Sequence, residues 1–287
     1  MNAVIGRPWA RGHGALVAVT AAGLLALGGP ACRTRHDVPK PEARSNGSAA
    51  SNNAPPTIAP TMAPATQTQN STAVAPGALS RPIDPPGTYM GRQLATTMSH
   101  IGAPWLTRST RASEENPKRL MAALELRPGQ TACDVGAGNG YHTLMMAAAV
   151  APTGRAIAAD LQPEMLALLQ ARANAAHITN IDVVLSDAND SKLPTASCDV
   201  VLMCDVYHEL SEPAVVLAQL RRVLTPTGLI AVVEFRAEDP MVPVKELHKM
   251  SKAQILREYQ ANGYTLVRSV DDLPWQHLMF FAVAASQ

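Results

Sequence analysis

The stretch from Thr131 to Phe235 alternates short aliphatic strands with helices, and this alternation limits the fold more than any other feature of the chain. The strand-like runs are rich in Val, Ile, Leu and Ala and are bounded by turn residues; they are Thr131–Ala137, Arg155–Asp160, Ile181–Ser186, Cys198–Val206 and Gly228–Phe235. Between them lie helix-length segments with apolar residues three and four apart, such as "QPEMLALLQARANAA". The pattern predicts a parallel sheet covered by helices on both faces.

The C-terminal tail departs from this alternation. A helix with a capping box at Ser251 and Gln254 is followed by "GYTLVRSV" and "QHLMFFAVA", two strand-like runs with no helix between them. Because parallel neighbours need a long crossover and antiparallel neighbours do not, the last pair is predicted to be antiparallel.

The first 31 residues have the order of a secretory signal. Arg7 and Arg11 precede the uncharged apolar run Ala15–Gly28, which is too short to span a membrane comfortably. A small residue then precedes Cys32, which resembles a bacterial lipoprotein cleavage site at which the cysteine is lipidated, although Gly29 stands where that pattern has Leu. An uncleaved anchor and a simple secretory signal are the alternatives.

Residues 32–87 are predicted to be a disordered linker, and residues 88–287 the folded domain. Ser45 to Ser80 contains no charged residue and repeats Pro, Thr, Ala, Asn and Gln without an apolar period, so it cannot bury enough surface to offset chain entropy. Together with a lipidated Cys32, this linker predicts an exported protein held at a membrane surface. A true start further in, for instance at Met90, would instead make the protein cytoplasmic.

Charge and metal-ligand patterns exclude some partners. The 287 residues carry 24 Lys and Arg against 23 Asp and Glu, so no charge excess favours nucleic acid. The eight His and four Cys show no paired ligand spacing, and no metal site is predicted. Cys133 and Cys204 each precede an acid on strands expected to be neighbours; they are either a redox pair or, the favoured interpretation, two small buried core residues.

The stretch "DVGAGNGYHT", Asp134 to Thr143, closes the first strand and opens the first helix. Glycines there let a ligand approach the backbone, and the helix start offers unpaired N–H groups. A dinucleotide fingerprint is not matched, because Gly140 comes one position early and Asp134 would repel pyrophosphate but suits a cationic amine. Asp160 can accept hydrogen bonds from two ribose hydroxyls, and Asp187 from the amine of a base. A ligand with an amine, a ribose and an adenine but no phosphate is S-adenosylmethionine, which we expect to bind without metal or nicotinamide.

Five segments resemble the successive motifs of class I S-adenosylmethionine-dependent methyltransferases, in their order and spacing: "DVGAGNGYHT", "AADLQPEML", "SDAND", "CDVVLMCDVYHEL" and "LTPTGLIAVVEF". The resemblance implies an α/β, Rossmann-like sheet of seven strands in the order 3-2-1-4-5-7-6, with the seventh antiparallel. It also implies methyl transfer from S-adenosylmethionine to an acceptor, a small molecule or another target, that the sequence does not identify.

The resemblance assigns roles residue by residue around the cofactor. Asp134, Gly136, Ala137 and Gly138 are expected to line its methionine part, Gly140 to permit close helix packing, Asp160 to hold the ribose, Leu161 to lie beside the adenine and Asp187 near the adenine amine. A strand-end Asp can alternatively only cap the next helix, which is the competing interpretation of Asp160 and Asp187.

Chemistry is expected beyond the fourth strand, at "CDVYHEL". His208 is the candidate base or acceptor-orienting group, and Asp205, Tyr207 and Glu209 can orient the acceptor or the cofactor. A structural hydrogen bond at a strand end is the alternative role for His208.

Two charged segments flank the predicted site. Glu234, Arg236, Lys245 and His248 form either a polar acceptor wall or, as favoured, a solvated loop; Arg111, Glu114 and Glu115 form either a lid or, as favoured, a charged helix start. The intact motifs favour an enzyme over a non-catalytic module that only binds S-adenosylmethionine or its demethylated product. The supply of a cofactor made in the cytoplasm stands against an exported enzyme.

Overall fold

A computed structural model describes residues 84–285 of the chain. The predicted signal sequence, the lipidated Cys32 and the linker up to residue 83 lie outside these described residues. The strands are β1 (Thr88–Tyr89), β2 (Arg92–Gln93), β3 (Thr131–Val135), β4 (Arg155–Asp160), β5 (Ile181–Leu185), β6 (Cys198–Cys204), β7 (Leu224–Arg236), β8 (Lys249–Met250), β9 (Tyr264–Val270) and β10 (Gln276–Val283). The α-helices are α1 (Arg111–Glu115), α2 (Pro117–Leu124), α3 (Tyr141–Val150), α4 (Pro163–Ala175), α5 (Pro213–Val223) and α6 (Lys252–Ala261), and short 3-10 helices cover His100–Thr107, Tyr207–Glu209 and Glu246–His248.

The central sheet has the predicted topology. Its long strands lie in the order β5-β4-β3-β6-β7-β10-β9, which is 3-2-1-4-5-7-6 when they are counted along the chain. Strands β3 to β7 pair in parallel, whereas β10 is antiparallel to both β7 and β9. The Rossmann-like fold class and the antiparallel tail are therefore confirmed. The capping box is confirmed in part, because the Ser251 side chain accepts the Gln254 N–H at the start of α6.

Two apolar layers cover the sheet because successive side chains of a strand point to opposite faces. On β6, Val201 and Met203 belong to the cluster that packs under α5 and α6, whereas Val200 and Leu202 belong to the cluster under α2 and α3. Strands buried on both faces read as continuous aliphatic runs, which is why the sequence pattern identified them.

Cys133 and Cys204 do not form the redox pair, and Cys133 lies in the core as favoured, but it has a partner that the sequence analysis did not propose. Cys133 forms a disulfide with Cys198, and Cys204 is the free cysteine within residues 84–285. Cys133 is in register with Val201, so Cys204, three residues further along β6, points to the opposite face of the sheet and cannot reach it. An irregularity between Cys198 and Val200 brings the Cys198 side chain to the face of Cys133.

Within residues 84–285, none of the helices is both long and apolar enough to traverse a bilayer.

Candidate functional site

A cavity of about 630 Å³ opens at the carboxyl ends of the parallel strands. In open α/β sheets, ligands bind at this edge, where the strand order reverses. Here β3 lies between β4 on one side and β6 on the other, so the reversal falls between β3 and β6. The walls come from the loop after β3, the ends of β4 and β6, the loop after β7, and an N-terminal segment, residues 92–100, which we call the strap.

The glycine loop after β3 has a backbone that side chains would not permit. Gly136 has a φ of 70°, and a Cβ atom there would lie 2.5 Å from the Val206 side chain. Gly138 has a φ of 52°, and its Cβ would lie 2.7 Å from Leu106. Both glycines line the cavity, so the loop brings bare backbone to the position expected for the cofactor.

Asp160 ends β4 at the cavity wall. Its Oδ2 atom accepts a hydrogen bond from the Gly138 N–H at 2.8 Å, and its Oδ1 atom accepts one from the Gln162 N–H at 2.9 Å. Burial raises the pKa of Asp160, while the backbone N–H groups oppose that rise. The carboxylate thus caps the next turn and also lines the cavity, beside the half-exposed Leu161. A carboxylate has about four lone-pair sites, so the backbone N–H groups leave acceptor capacity for ligand hydroxyls.

Three residues predicted for the cofactor lie behind the cavity wall. Asp134 is 2% exposed, and its Oδ2 atom accepts the Thr143 hydroxyl at 2.6 Å. Burial raises the pKa of Asp134 to about 6. Ala137 packs with Leu169 of α4, and a Cβ on Gly140 would lie 2.5 Å from Leu169. Gly140 therefore has the predicted packing geometry, and Asp134 acts on the cavity through the loop rather than at its surface.

Asp187 does not reach the cavity. Its carboxylate pairs with Lys192 Nζ at 2.9 Å and is 67% exposed, whereas the next residue, Ala188, lines the wall. The structure therefore places a small apolar residue where the sequence predicted an acceptor for the adenine amine.

His208 connects the cavity to the buried sheet. Its Nδ1 atom lies 2.6 Å from Oε2 of Glu234, a β7 carboxylate with no exposed surface, and its Nε2 atom lies 3.0 Å from Nδ1 of His248. Glu209 is close to both rings, with its Oε1 atom 3.8 Å from His208 Nε2 and 3.7 Å from His248 Nδ1. The predicted site residue is therefore one member of a cluster of four ionisable groups.

Burial and neighbouring charges both shift the pKa values of this cluster. Burial alone would lower the pKa of His208, but the Glu234 and Glu209 carboxylates outweigh it, so the pKa is raised. Burial raises the pKa of Glu209 to about 7, against the effect of His208 and of the Met98 N–H. Burial lowers the pKa of His248, and a charge on His208 lowers it further. Their charge states therefore depend on one another.

Asp205 and Tyr207 follow different paths from the end of β6. Asp205 lines the cavity with a φ of 56°, and Gln276 Nε2 donates to both of its oxygens, at 3.0 and 2.8 Å. Burial, together with the Glu115 charge, raises the pKa of Asp205 well above its ordinary value. Tyr207 instead lies fully in the core, where its hydroxyl donates to Glu258 at 2.8 Å. The 3-10 turn at Tyr207–Glu209 sends Tyr207 and His208 to different sides, so Tyr207 is not on the cavity wall.

The charged segment favoured as a plain helix start does form the short helix α1, but two of its residues also line the cavity. Arg111 is 4% exposed and Glu115 2% exposed, they pair at 2.7 Å, and both line the wall. Arg108 joins Glu115 at 2.5 Å and Glu114 at 2.6 Å. Glu114 is thus held outside the cavity, while Arg111 and Glu115 close one side of it.

The segment after β7 is likewise a wall rather than a solvated loop. Lys245 and His248 line the cavity, and Glu234 lies beneath His208. Arg236 differs, because its guanidinium donates to the carbonyls of Asp271, Leu273 and Pro274 and fastens the tail to β7.

The strap forms one wall of the cavity and was not identified from the sequence. The Met98 N–H donates to both Glu209 oxygens at 3.2 Å. Gln162 holds the strap from the other side, since its Nε2 atom donates to the Met98 carbonyl at 2.9 Å and its Oε1 atom accepts the His100 N–H at 2.7 Å. Arg92 anchors the strap's beginning through Glu258 at 2.8 Å. The sequence of the strap is irregular and has no helix or strand period, which is why the sequence analysis did not identify it.

Comparison with known proteins agrees with this geometry. Residues 133–232 match the family model of a methyltransferase domain. A 37.1 kDa uncharacterized protein of transposon TN4556 from Streptomyces fradiae is 34% identical over 126 residues, which are 44% of this chain and 36% of that protein. A demethylmenaquinone methyltransferase from Staphylococcus aureus is 30% identical over 159 residues, which are 55% of this chain and 63% of that enzyme. The chain thus spans less than two thirds of the length of these relatives.

Among solved structures, a SAM-dependent methyltransferase from Aquifex aeolicus superposes with a TM-score of 0.62 at 23% identity, covering 66% of this chain and all of that one. At this identity the likeness shows the fold. The sequence match over residues 133–232 and the likeness of fold are thus both to methyltransferases.

Proposed function

We propose that this protein transfers a methyl group from S-adenosylmethionine to an acceptor that binds in the same cavity. The observation that carries the proposal is the side-by-side placement, on one cavity wall, of the bare glycine backbone at Gly136 and Gly138, the buried carboxylate of Asp160, and the imidazole of His208. The first three residues suit the nucleoside and methionine parts of the cofactor, and the last lies on the side left for the acceptor.

Asp160 is proposed to accept hydrogen bonds from the two ribose hydroxyls, with Leu161 against the adenine. Burial and the two backbone N–H donors fix this carboxylate before a ligand arrives, so little side-chain entropy is lost on binding. Asp134, behind the loop, supplies negative charge near the cationic methionine part without touching it.

The chemical step needs alignment more than acid–base chemistry. The acceptor's lone pair attacks the methyl carbon in line with the sulfonium, the carbon–sulfur bond breaks, and the sulfur keeps the electron pair as S-adenosylhomocysteine leaves. If the acceptor atom carries a proton, that proton must also leave. His208 is placed either to take it or to orient the acceptor, since Glu234 holds its ring from behind.

The strap and the Arg111–Glu115 pair are proposed to exclude water from the sulfonium. Thr96, Thr97 and Met98 cover the cavity between Glu209 and Gln162. Opening this segment at the exposed Thr96 and Thr97 is the expected route for ligand entry, because hydrogen bonds that join Met98 to Glu209 and Gln162 hold it there. No finding favours the alternative of a non-catalytic binding module.

Release of S-adenosylhomocysteine tests the activity. The full chain is incubated with S-adenosylmethionine and with a cell extract fractionated by molecular size, and product is measured by mass spectrometry. We expect one fraction to raise product formation above the rate without extract, and Asp160→Ala to abolish the increase. Binding of the cofactor with no product in any fraction would contradict turnover.

The export and membrane attachment predicted from the leader remain part of the proposal. Support comes from the buried Cys133–Cys198 disulfide, because disulfides persist in oxidising compartments and are rare in the cytosol. An exported enzyme needs a source of S-adenosylmethionine outside the cytoplasm, so the acceptor and the donor must meet there.

A further inference from the structure

Two imidazoles and a carboxylate converge at one point of the cavity wall. His208 Nε2 and His248 Nδ1 are 3.0 Å apart, and Glu209 Oε1 lies 3.8 and 3.7 Å from them. The three residues come from the turn after β6 and from the 3-10 helix before β8, which only the fold brings together. The ligand atoms of all three lie within 4.8 Å of one another.

These separations fit a first-row metal ion. A point equidistant from three atoms separated by 3.0, 3.7 and 3.8 Å lies about 2 Å from each of them. Zinc binds imidazole nitrogen at about 2.0–2.1 Å and carboxylate oxygen at about 2.0–2.2 Å. The triangle therefore needs only a small adjustment of the side chains to hold an ion.

The buried Glu234 orients the principal ligand. With Nδ1–H of His208 donated to Glu234 at 2.6 Å, the Nε2 lone pair is directed towards His248 and Glu209. Metal-binding histidines almost always donate their second ring nitrogen to a carboxylate or carbonyl in this way, which fixes the tautomer. Glu209 is held as well, since its oxygens accept the Met98 N–H at 3.2 Å.

The arrangement leaves an open side. All three residues line the cavity, and His248 retains 30% of its side-chain exposure, so coordination positions beyond the three protein ligands face the ligand space. Three protein ligands with a free position are typical of catalytic rather than structural zinc sites, which use four.

We propose that His208 Nε2, His248 Nδ1 and a Glu209 oxygen bind a divalent metal ion of the zinc type, open to the cavity. This replaces the expectation of no metal, which rested on spacing along the chain; His208 and His248 are forty positions apart and carry no such signal. The role of the ion rests on the proposed methyl transfer: its open coordination position would bind a thiol or hydroxyl of the acceptor, and His208 would orient the acceptor through the ion. Metal binding itself does not depend on that activity.

The test uses the full chain without a polyhistidine tag, stripped with a chelator and dialysed against Zn²⁺ alone. We expect one equivalent of tightly bound Zn²⁺, and a visible absorption spectrum of tetrahedral or five-coordinate Co²⁺ when cobalt replaces zinc. His248→Ala and Glu209→Gln should each weaken Zn²⁺ binding by more than about 100-fold, and Glu234→Gln by roughly 10- to 100-fold, the usual effect of an outer-shell partner. The matched control is His177→Asn, which removes an exposed imidazole at a position with a φ of 55° that Asn tolerates.

The outcomes separate the metal site from the proposed function. Each variant is checked by circular dichroism, and because His248 is partly exposed its replacement should leave the melting temperature nearly unchanged. Zn²⁺ binding that is absent, or that is equal in wild type, His248→Ala and Glu209→Gln, would overturn the site whatever the result for methyl transfer. S-adenosylmethionine affinity, measured with and without Zn²⁺, should not change, so a failure of cofactor binding would count against the enzyme and not against the metal.

Discussion

The Nδ1 atom of His208 lies 2.6 Å from the Oε2 atom of Glu234, and neither side chain has more than 2% of its surface exposed. This contact links the turn after β6 to β7, a strand inside the sheet. Because the buried carboxylate needs a donor, the contact fixes the ring and leaves Nε2 as the atom that faces the cavity.

His208→Ala should therefore slow the chemical step and leave the binding of S-adenosylmethionine unchanged. We expect turnover to fall roughly 100-fold or more, the usual contribution of a positioned acid, base or orienting group, while S-adenosylmethionine affinity stays nearly unchanged. Turnover with the active extract fraction and calorimetric affinity are measured on the same variant. If the melting temperature and the affinity fall together, His208 is structural; full turnover at unchanged stability would mean that it has neither role.

Cys133 and Cys198 should be joined in the mature protein. Alkylation in denaturant without reductant, followed by proteolysis and mass spectrometry, should leave these two residues unmodified in one linked peptide and modify Cys204. Closing a loop across 65 positions should add about 2 to 4 kcal/mol to the free energy of unfolding, so reduction should lower the denaturation midpoint.

The Cys133→Ser and Cys198→Ser double variant supplies the control, because reductant should not change its midpoint. Alkylation of Cys133 in the unreduced protein would contradict the disulfide and remove the structural support for export.

Asp134 should make the protein less stable as the pH rises from about 4 to about 6. Burial raises the pKa of Asp134 to about 6 from 3.8, so the folded state holds the proton more tightly and the stabilisation present at low pH is lost as the carboxyl ionises. The linkage amounts to about 3 kcal/mol across this range.

Asp134→Asn removes this dependence while keeping the side-chain shape beside Thr143. Urea unfolding is measured at pH 4 and at pH 7 without cofactor. Between these pH values, the free energy of unfolding of the variant should rise relative to that of the wild type by up to about 3 kcal/mol. A constant difference between the two proteins at both pH values would contradict the raised pKa.

The sheet was predictable because each strand has a recognisable local sequence pattern. Runs such as Cys198–Val206 are aliphatic on both faces, and the helices between them have a clear period, so the sequence alone determines the layers and the resemblance supplies the strand order. The glycine loop and Asp160 were also predictable, because a turn between a strand and a helix places residues at the cavity by connectivity alone.

The rest of the candidate site could not be predicted, because it depends on contacts between segments that are distant in the sequence. In the sequence, Arg111 and Glu115 are typical of a charged helix start, and only their pairing and the packing of the cavity wall show that they are buried. Tyr207 and His208 are adjacent in sequence, yet a single 3-10 turn assigns one to the core and the other to the cavity. His248 reaches His208 only through the course of the chain after β7.

The mature chain is expected to begin at a lipidated Cys32, a residue outside the part that the structure describes. Two or three acyl chains would give stable membrane attachment where one would not. Mass spectrometry of the N-terminal peptide from the native membrane fraction decides this, with Cys32→Ala as the control that should release the protein. A chain that keeps Met1, or begins beyond Cys32, would remove the lipoprotein assignment and leave the enzyme untouched.

Calorimetric titration of the full chain with S-adenosylmethionine tests the central claim most directly. Asp160→Ala removes acceptors for two ribose hydroxyls, so we expect its binding free energy to weaken by about 2 to 4 kcal/mol, roughly 30-fold to several hundredfold in affinity. Asp182→Ala is the matched control, because its carboxylate pairs with Arg155 on the exposed side of the sheet. The account predicts wild-type affinity for Asp182→Ala and the loss of affinity for Asp160→Ala, measured below the melting temperature of each variant, since Asp160→Ala also gives up two backbone hydrogen bonds. No heat with the wild-type chain, or equal affinity in Asp160→Ala, would contradict it.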